Sequence, residues 1–216
     1  MSLTIAVDRD KPEDAPLVLA AEVVQAGGLV VYPTETLYGI GSNALDVRAT
    51  TRIHQVKQRT DPKPILILVA DIESVSGLAR DILPEALLLM ESFWPGPLTL
   101  VFSASDRVPS ALTRGGTTVG IRVPSSALCQ RLIRLAGVPL SSTSANKSGI
   151  PSPRSVAEIK ESLGAAIDLY LDAGTIPESK PSTVVDVSVS PPCLLREGAV
   201  SVDALRAAVP SLAVGR

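Results

Sequence analysis

Residues 65–70 read ILILVA, six apolar side chains in a row between a polar loop and an aspartate. A strand with one wet face alternates apolar and polar residues, so an unbroken run fits a strand covered on both faces. The chain therefore calls for helices layered on either side of a sheet. Its material suits that design: hydrophobic residues make up 45% of the 216 but aromatics only 3%, which leaves Ala, Val, Leu and Ile to build the core. This length can bury one sizeable core, and one domain is the expectation.

The elements around that strand follow from periodicity. Leu17, Ala21 and Val24 recur at helical spacing, Pro16 fits a first turn, and Gly27-Gly28 ends the run before the strand LVVYP. That strand delivers Pro33-Thr34-Glu35-Thr36 at its carboxyl end. A second helix is marked by Ala49, Ile53 and Val56, and the polar loop KQRTDPKP joins it to ILILVA. Helices are expected over residues 71–78 and 84–93, after which Trp94-Pro95-Gly96-Pro97 forces a turn before the strand LTLVF. Along residues 117–123, Val119, Ile121 and Val123 share one face and Thr118, Gly120 and Arg122 the other. Leu128, Leu132 and Leu135 mark the next helix. Ser155 with Glu158 reads as a capping box for another, and Ser201 with Asp203 opens the last. Short strands are expected near residues 138–140, 168–171, 183–187 and 193–196. No repeat, heptad or low-complexity tract interrupts the order. The sum is an α/β fold: a twisted, mixed parallel and antiparallel sheet with helices on both faces, in a single domain whose core spans about residues 15–208.

Charge and composition narrow the function classes. A formal net charge of -2 gives no global basic field, so an anion site has to come from a local cluster of Lys and Arg. With 3% aromatics, a stacking platform for RNA is poorly supplied. Cys129 and Cys193, far apart and within apolar runs, read as buried free thiols rather than a metal or redox pair. No run approaches the ~18 apolar residues of a membrane span, and the N-terminus has no basic-then-apolar leader. A cytoplasmic location is expected. The lone His54 has no Ser or Cys partner at motif spacing, which argues against a His-based hydrolase.

Two polar stretches stand out. Lys57, Arg59 and Lys63 place three cations within seven positions on a loop fixed at both ends, an arrangement that suits a polyphosphate. The same cations at a helix C-terminus would also complement its dipole. The stretch SSTSANKSG offers hydroxyls, an amide and a glycine after a short apolar strand, so its backbone is able to approach a phosphate. A merely solvated loop would look similar. Thr34 and Thr36 at a strand end, the Thr118 and Arg122 face, Ser182 and Arg196 can converge with both stretches at one sheet edge, where α/β folds tend to bind ligands.

The motifs PTETLYG, KQRTDPKP, WPGPLT, TVGIRVP, SANKSG, PSPRS, PSTVVD and LLREG occur in that order. Together they closely resemble the threonylcarbamoyl-AMP synthase (YrdC-like) family over roughly Val23 to Leu205. The resemblance implies a YrdC-like domain with a large cationic cavity. It also implies synthesis of L-threonylcarbamoyladenylate and pyrophosphate from L-threonine, bicarbonate and ATP, the first step of threonylcarbamoyl modification of adenosine 37 in tRNA. A downstream threonylcarbamoyl transferase would be a partner.

By that resemblance the ATP positions are Lys57, Arg59, Lys63, Thr118, Ser144, Asn146, Ser152 and Arg196. The threonine positions are Thr34, Thr36, Arg122, Ser142 and Ser182. Lys57 and Arg59 would carry most of the catalysis. Some members have a threonine-contacting histidine where this chain has Leu68, and longer members append a linker and a second domain, so the chain resembles the short type. Arg122 would hold the threonine carboxylate as a fork; an ion pair with an acidic side chain is the structural alternative. Mg2+ is expected with ATP, with Glu35 and Asp186 as the carboxylates to consider and no compact acidic cluster. Two other readings remain at this point. One is an RNA-binding module of the same fold, with tRNA or another RNA as partner; the other is a carbamoyl-adenylate domain like those within hydrogenase-maturation carbamoyltransferases.

Overall fold

The computed structural model describes residues 2–58 and 64–215. The apolar run forms a short central strand, and the chain around it makes β1 (Leu3–Ala6), α1 (Asp14–Gln25), β2 (Val30–Pro33), β3 (Tyr38–Gly41), α2 (Val47–Val56), β4 (Leu66–Leu68), β5 (Ala79–Arg80), α3 (Pro84–Phe93) and β6 (Leu98–Ala104). Then come α4 (Ser110–Thr113), β7 (Thr118–Arg122), α5 (Ala127–Ala136), β8 (Leu140–Ser144), α6 (Val156–Leu163), β9 (Leu169–Asp172), β10 (Thr183–Asp186), β11 (Cys193–Arg196), α7 (Val202–Ala208) and β12 (Ala213–Val214). Among the described residues these strands join in one sheet of order β1-β9-β2-β3-β8-β4-β7-β6-β10-β11-β12, with β5 hydrogen-bonded to β6. Pairing is mixed, parallel for β4 with β7 and antiparallel for β4 with β8, as the sequence leads one to expect.

Each face of the sheet carries a hydrophobic core. In β2 and just before it, Leu29 and Val31 enter one core while Val30 and Tyr32 enter the other. On the second face α1 supplies Leu17, Ala20, Ala21 and Val24, and α5 supplies Leu128, Cys129, Leu132, Ile133 and Ala136. The helices begin where short polar side chains can occupy free N–H groups. Asp46 accepts from Arg48 N and Ala49 N, Ser126 from Cys129 N, and Ser201 from Ala204 N.

Several expectations change. Residues 71–78 hold a 3-10 turn (Glu73–Gly77) leading into β5, because Asp71 accepts from Ser74 N and the chain then pairs with β6. Residues 141–144 are strand, not loop: β8 starts at Leu140 and runs through Ser144. The hairpin partner β3, which turns PTET back on itself, was hidden by its glycines. Ser155 caps α6, but Glu158 reaches Arg154 N rather than Ser155 N, so the box is offset by one residue. Cys129 is fully buried, whereas Cys193 is only partly so, on a strand near the sheet edge. The edge strands β1 and β12 lie outside the 15–208 span.

Candidate functional site

One sheet face runs unbroken through the cross-strand pairs. Tyr32 lies opposite Gly39, Gly39 opposite Ser144, Ser142 opposite Leu66, Leu68 opposite Arg122, Gly120 opposite Val101, and Thr99 opposite Val184. Helices α1 and α5 cover its β2 end. Beyond β8 the face is bare, and a cavity of about 1060 Å³ sits on it, floored by Leu66, Gly120, Thr99 and Val184. Gly120 is flat floor: a Cβ there would come within 3.3 Å of Thr99. Every expected site residue within the described chain lines this cavity: Thr34, Thr36, Lys57, Thr118, Arg122, Ser142, Ser144, Asn146, Ser152, Ser182 and Arg196. Arg59 and Lys63 lie outside the described residues. The Thr118, Gly120 and Arg122 face read from alternation is the face that looks into the cavity. Leu68, buried, forms part of its wall.

The cations are held by specific partners. Lys57, at the C-cap of α2 and 3% exposed, donates from Nζ to the carbonyl oxygens of Ser144 and Asn146 and, at 3.3 Å, to Asn146 Oδ1. It thus pins the serine-asparagine segment, which is also tied by Ser148 N to Lys57 O at 3.2 Å. Asn146 shapes the same segment, accepting from Ser144 Oγ and donating to Ile150 O. Arg122, 5% exposed, donates from Nε to Gly96 O at 2.9 Å, and its Nη2 forms an ion pair with Glu35. Gly96 is required there because a Cβ would lie 2.3 Å from Phe93 O. The pair lacks the alignment of a hydrogen bond at Nη2, and Glu35 Oε2 has no hydrogen-bond partner. Burial works against the Glu35 carboxylate, but Arg122 and the Ser125 N–H outweigh it and hold its pKa below the ordinary value. Arg196 donates to Ser182 O at 2.7 Å, and burial and then the charge of Arg122 lower its pKa. Two guanidinium groups therefore share one cavity, which favours an anionic ligand.

The hydroxyls divide into two kinds. Thr34 is a turn residue: its Oγ1 donates to Leu37 O at 2.7 Å and accepts from Thr36 N and Leu37 N, closing the β2–β3 turn. Its only proton is thereby used within the turn, while the residue itself lines the cavity. Thr36, Ser142 and Ser182 are buried and face the cavity; Ser182 Oγ lies 3.0 Å from Thr99 Oγ1 and Ser142 Oγ accepts from Tyr32 at 2.9 Å. Thr118 and Ser152 are half-buried on its lining.

The family profile for Sua5, YciO and YrdC proteins, described as telomere recombination, matches residues 22–198. The chain belongs to this family. It is 38% identical to the threonylcarbamoyl-AMP synthase of Pyrococcus abyssi over 98% of its own length and 63% of that protein's. It is 33% identical to the threonylcarbamoyl-AMP synthase of Bacillus subtilis over 97% of this chain and 61% of that one. The crystal structure of P. abyssi Sua5 complexed with L-threonine superimposes with a TM-score of 0.94 at 37% identity, covering 99% of this chain and 63% of the other. The chain thus spans less than two thirds of the length of these relatives.

Within this Sua5/YciO/YrdC fold, two features were missed by reading the sequence, and a third, an acidic partner for Arg122, was weighed there only as an alternative. The segment 173–182, linking β9 to β10 across the sheet, straps over the cavity. Tyr38 Oη donates to Gly174 O at 2.8 Å and accepts from Ala173 N, and Ser179 Oγ donates to Thr36 O. Arg154, from the PSPRS motif, lines the cavity and holds the strap through Nε to Ile176 O at 3.0 Å. Glu35 serves Arg122. None of these had a local signal, since each joins residues far apart in the chain. His54 is buried away from this cavity's lining, and its Nε2 lies 3.0 Å from Ala111 O.

The two carboxylates considered for magnesium are engaged elsewhere. Glu35 is committed to Arg122 and Ser125, and Asp186 Oδ1 accepts from Ser188 N and Oγ in a local turn. Among the described residues no three His, Cys, Asp or Glu side chains gather as metal ligands. No described helix is long and apolar enough to cross a membrane.

Proposed function

We propose that the chain is an L-threonylcarbamoyl-AMP synthase, consuming L-threonine, bicarbonate and ATP. The observation that carries this reading is the convergence of Lys57, Arg122 and Arg196 with the Ser142 and Ser182 hydroxyls on one uncovered sheet face. The family relationship, with relatives of that name at 33–38% identity, supports the same reaction.

The threonine amine, as free base, attacks bicarbonate carbon, and loss of water leaves an N-carboxylate. A carbamate oxygen then attacks the α-phosphorus of ATP; the bond to the bridging oxygen breaks and its electron pair leaves with pyrophosphate. No protein nucleophile is needed, in keeping with a cavity that holds hydroxyls and cations but no described Cys or His. The protein's part is positioning and charge stabilisation. Arg122, aimed into the cavity by Gly96 and Glu35, receives the threonine carboxylate. Arg196, Lys57 and the Ser144 to Asn146 segment receive the phosphates, with Thr118 and Ser152 at the edge; Arg59 and Lys63, outside the described residues, are assigned to the same phosphates on the motif resemblance. In this arrangement a phosphate meets Lys57 only by competing with the Ser144 and Asn146 carbonyls. Nucleotide binding is therefore coupled to movement of that segment. Magnesium enters with the triphosphate as part of the substrate. The product is a reactive mixed anhydride, which calls for a downstream transferase that delivers the group to tRNA.

The test measures pyrophosphate release while ATP, bicarbonate or L-threonine is left out in turn. Release should need all three; release that ignores threonine would contradict the proposal, and salt-sensitive tRNA binding without ATP use would favour the RNA-binding reading.

A further inference from the structure

Tyr32 serves the cavity without lining it. It is fully buried on β2, and opposite it on β3 stands Gly39, where a Cβ would come within 3.2 Å of the Tyr32 ring and 3.3 Å of Ser142 Oγ. The bare glycine lets the ring lie across β3 and reach β8, where Tyr32 Oη donates to Ser142 Oγ at 2.9 Å. We propose that Tyr32 is a positioning residue that fixes the Ser142 hydroxyl as a hydrogen-bond donor to the carboxylate of the bound amino acid. This rests on the threonine reading of the cavity.

A hydroxyl has one proton. The Tyr32 proton is used on Ser142, and burial pushes the phenol's ionisation far up, so it remains a donor at any working pH. The opposite polarity, Ser142 donating to Tyr32, would leave the phenol proton stranded in the interior. Ser142 lines the cavity, and no described residue accepts its proton. That proton therefore points to the ligand. A carboxylate offers only acceptors and is the strongest acceptor on an amino acid, so this proton is assigned to the carboxylate end. Arg122, on the same face, supplies the matching charge. Tyr32 and Gly39, at the two ends of the motif YPTETLYG, thus act as a unit.

The experiment compares steady-state pyrophosphate release by wild type, Tyr32→Phe, Ser142→Ala and the double variant over a range of L-threonine. Each single change should raise KM for threonine about tenfold with kcat within about twofold, and the double variant should match Ser142→Ala. A KM within about twofold of wild type for Tyr32→Phe, or full additivity in the double variant, overturns the proposal while leaving the threonine-dependent activity standing. Should Tyr32→Phe not fold, Gly39→Ala, which pushes ring and hydroxyl apart, carries the same expectation, and an unchanged KM overturns it equally. A wild-type protein with no threonine-dependent release would instead refute the activity itself, and this role with it.

Discussion

Lys57 holds two jobs at one atom, and its removal should show both. Its ammonium donates to the half-buried carbonyls of Ser144 and Asn146, so Lys57→Ala takes a charged donor from both, leaving Ser144 O with the Asn146 N–H, and should lower stability by about 1–3 kcal/mol. If it also meets developing phosphate charge, turnover should fall by about 2–4 kcal/mol of transition-state stabilisation, roughly 30- to 1000-fold. Thermal melting and pyrophosphate release on the same preparation separate the two; a folded variant with wild-type turnover would remove Lys57 from catalysis. Glu35 carries a pH signature. Its pKa is depressed in the folded state, so its contribution is complete above the ordinary value near 4.5 and is lost as pH falls through the lowered folded value. Glu35→Gln should therefore melt earlier than wild type at neutral pH, and the gap should close on acidification. A gap that widens would contradict the Glu35–Arg122 account. Cys129, fully buried and with its pKa pushed up to about 12, should resist alkylation in the native protein and react only on unfolding.

At the scale of elements, the central hairpin and its neighbour are packed too closely for side chains. A Cβ on Gly41 would sit 2.0 Å from Ser141 O, so Gly41→Ala should part β3 from β8 and cost at least about 1–3 kcal/mol, with loss of the cavity's shape. Melting temperature reads this directly; an unchanged value would contradict the described strand spacing. These same elements mark what a sequence discloses. The period of two along residues 118–122 set Arg122 on the cavity face because alternation is a local property of a strand. The apolar run at 65–70 foretold a strand deep in the sheet for the same reason, although its Leu66 floors the cavity and is only half-buried. By contrast, the role of Thr34 depends on a turn that closes only when β3 folds back, and β3, reading YGIG, has too little side chain to announce itself. Glu35 and Arg122, Tyr32 and Ser142, and Arg154 and Ile176 meet only through the sheet order, which no window of sequence contains. Motif resemblance named residues that the fold brings to one cavity, without saying which of them hold others in place.

Across the whole molecule, function follows from incomplete coverage. Helices α1 and α5 seal one half of a sheet face, and the other half is left to a strap and a serine-rich segment, so a deep polar cavity forms without any break in the core beneath it. Its floor is uncharged and small, and its cations come from the sides, a geometry that can bring a carboxylate and a triphosphate together over Gly120. The decisive measurement is mass spectrometry of the product made from ATP, L-threonine and 13C-bicarbonate. An AMP adduct that contains threonine and one 13C atom is expected. A threonine adduct of AMP without the label, or no threonine-containing adduct at all, would contradict it.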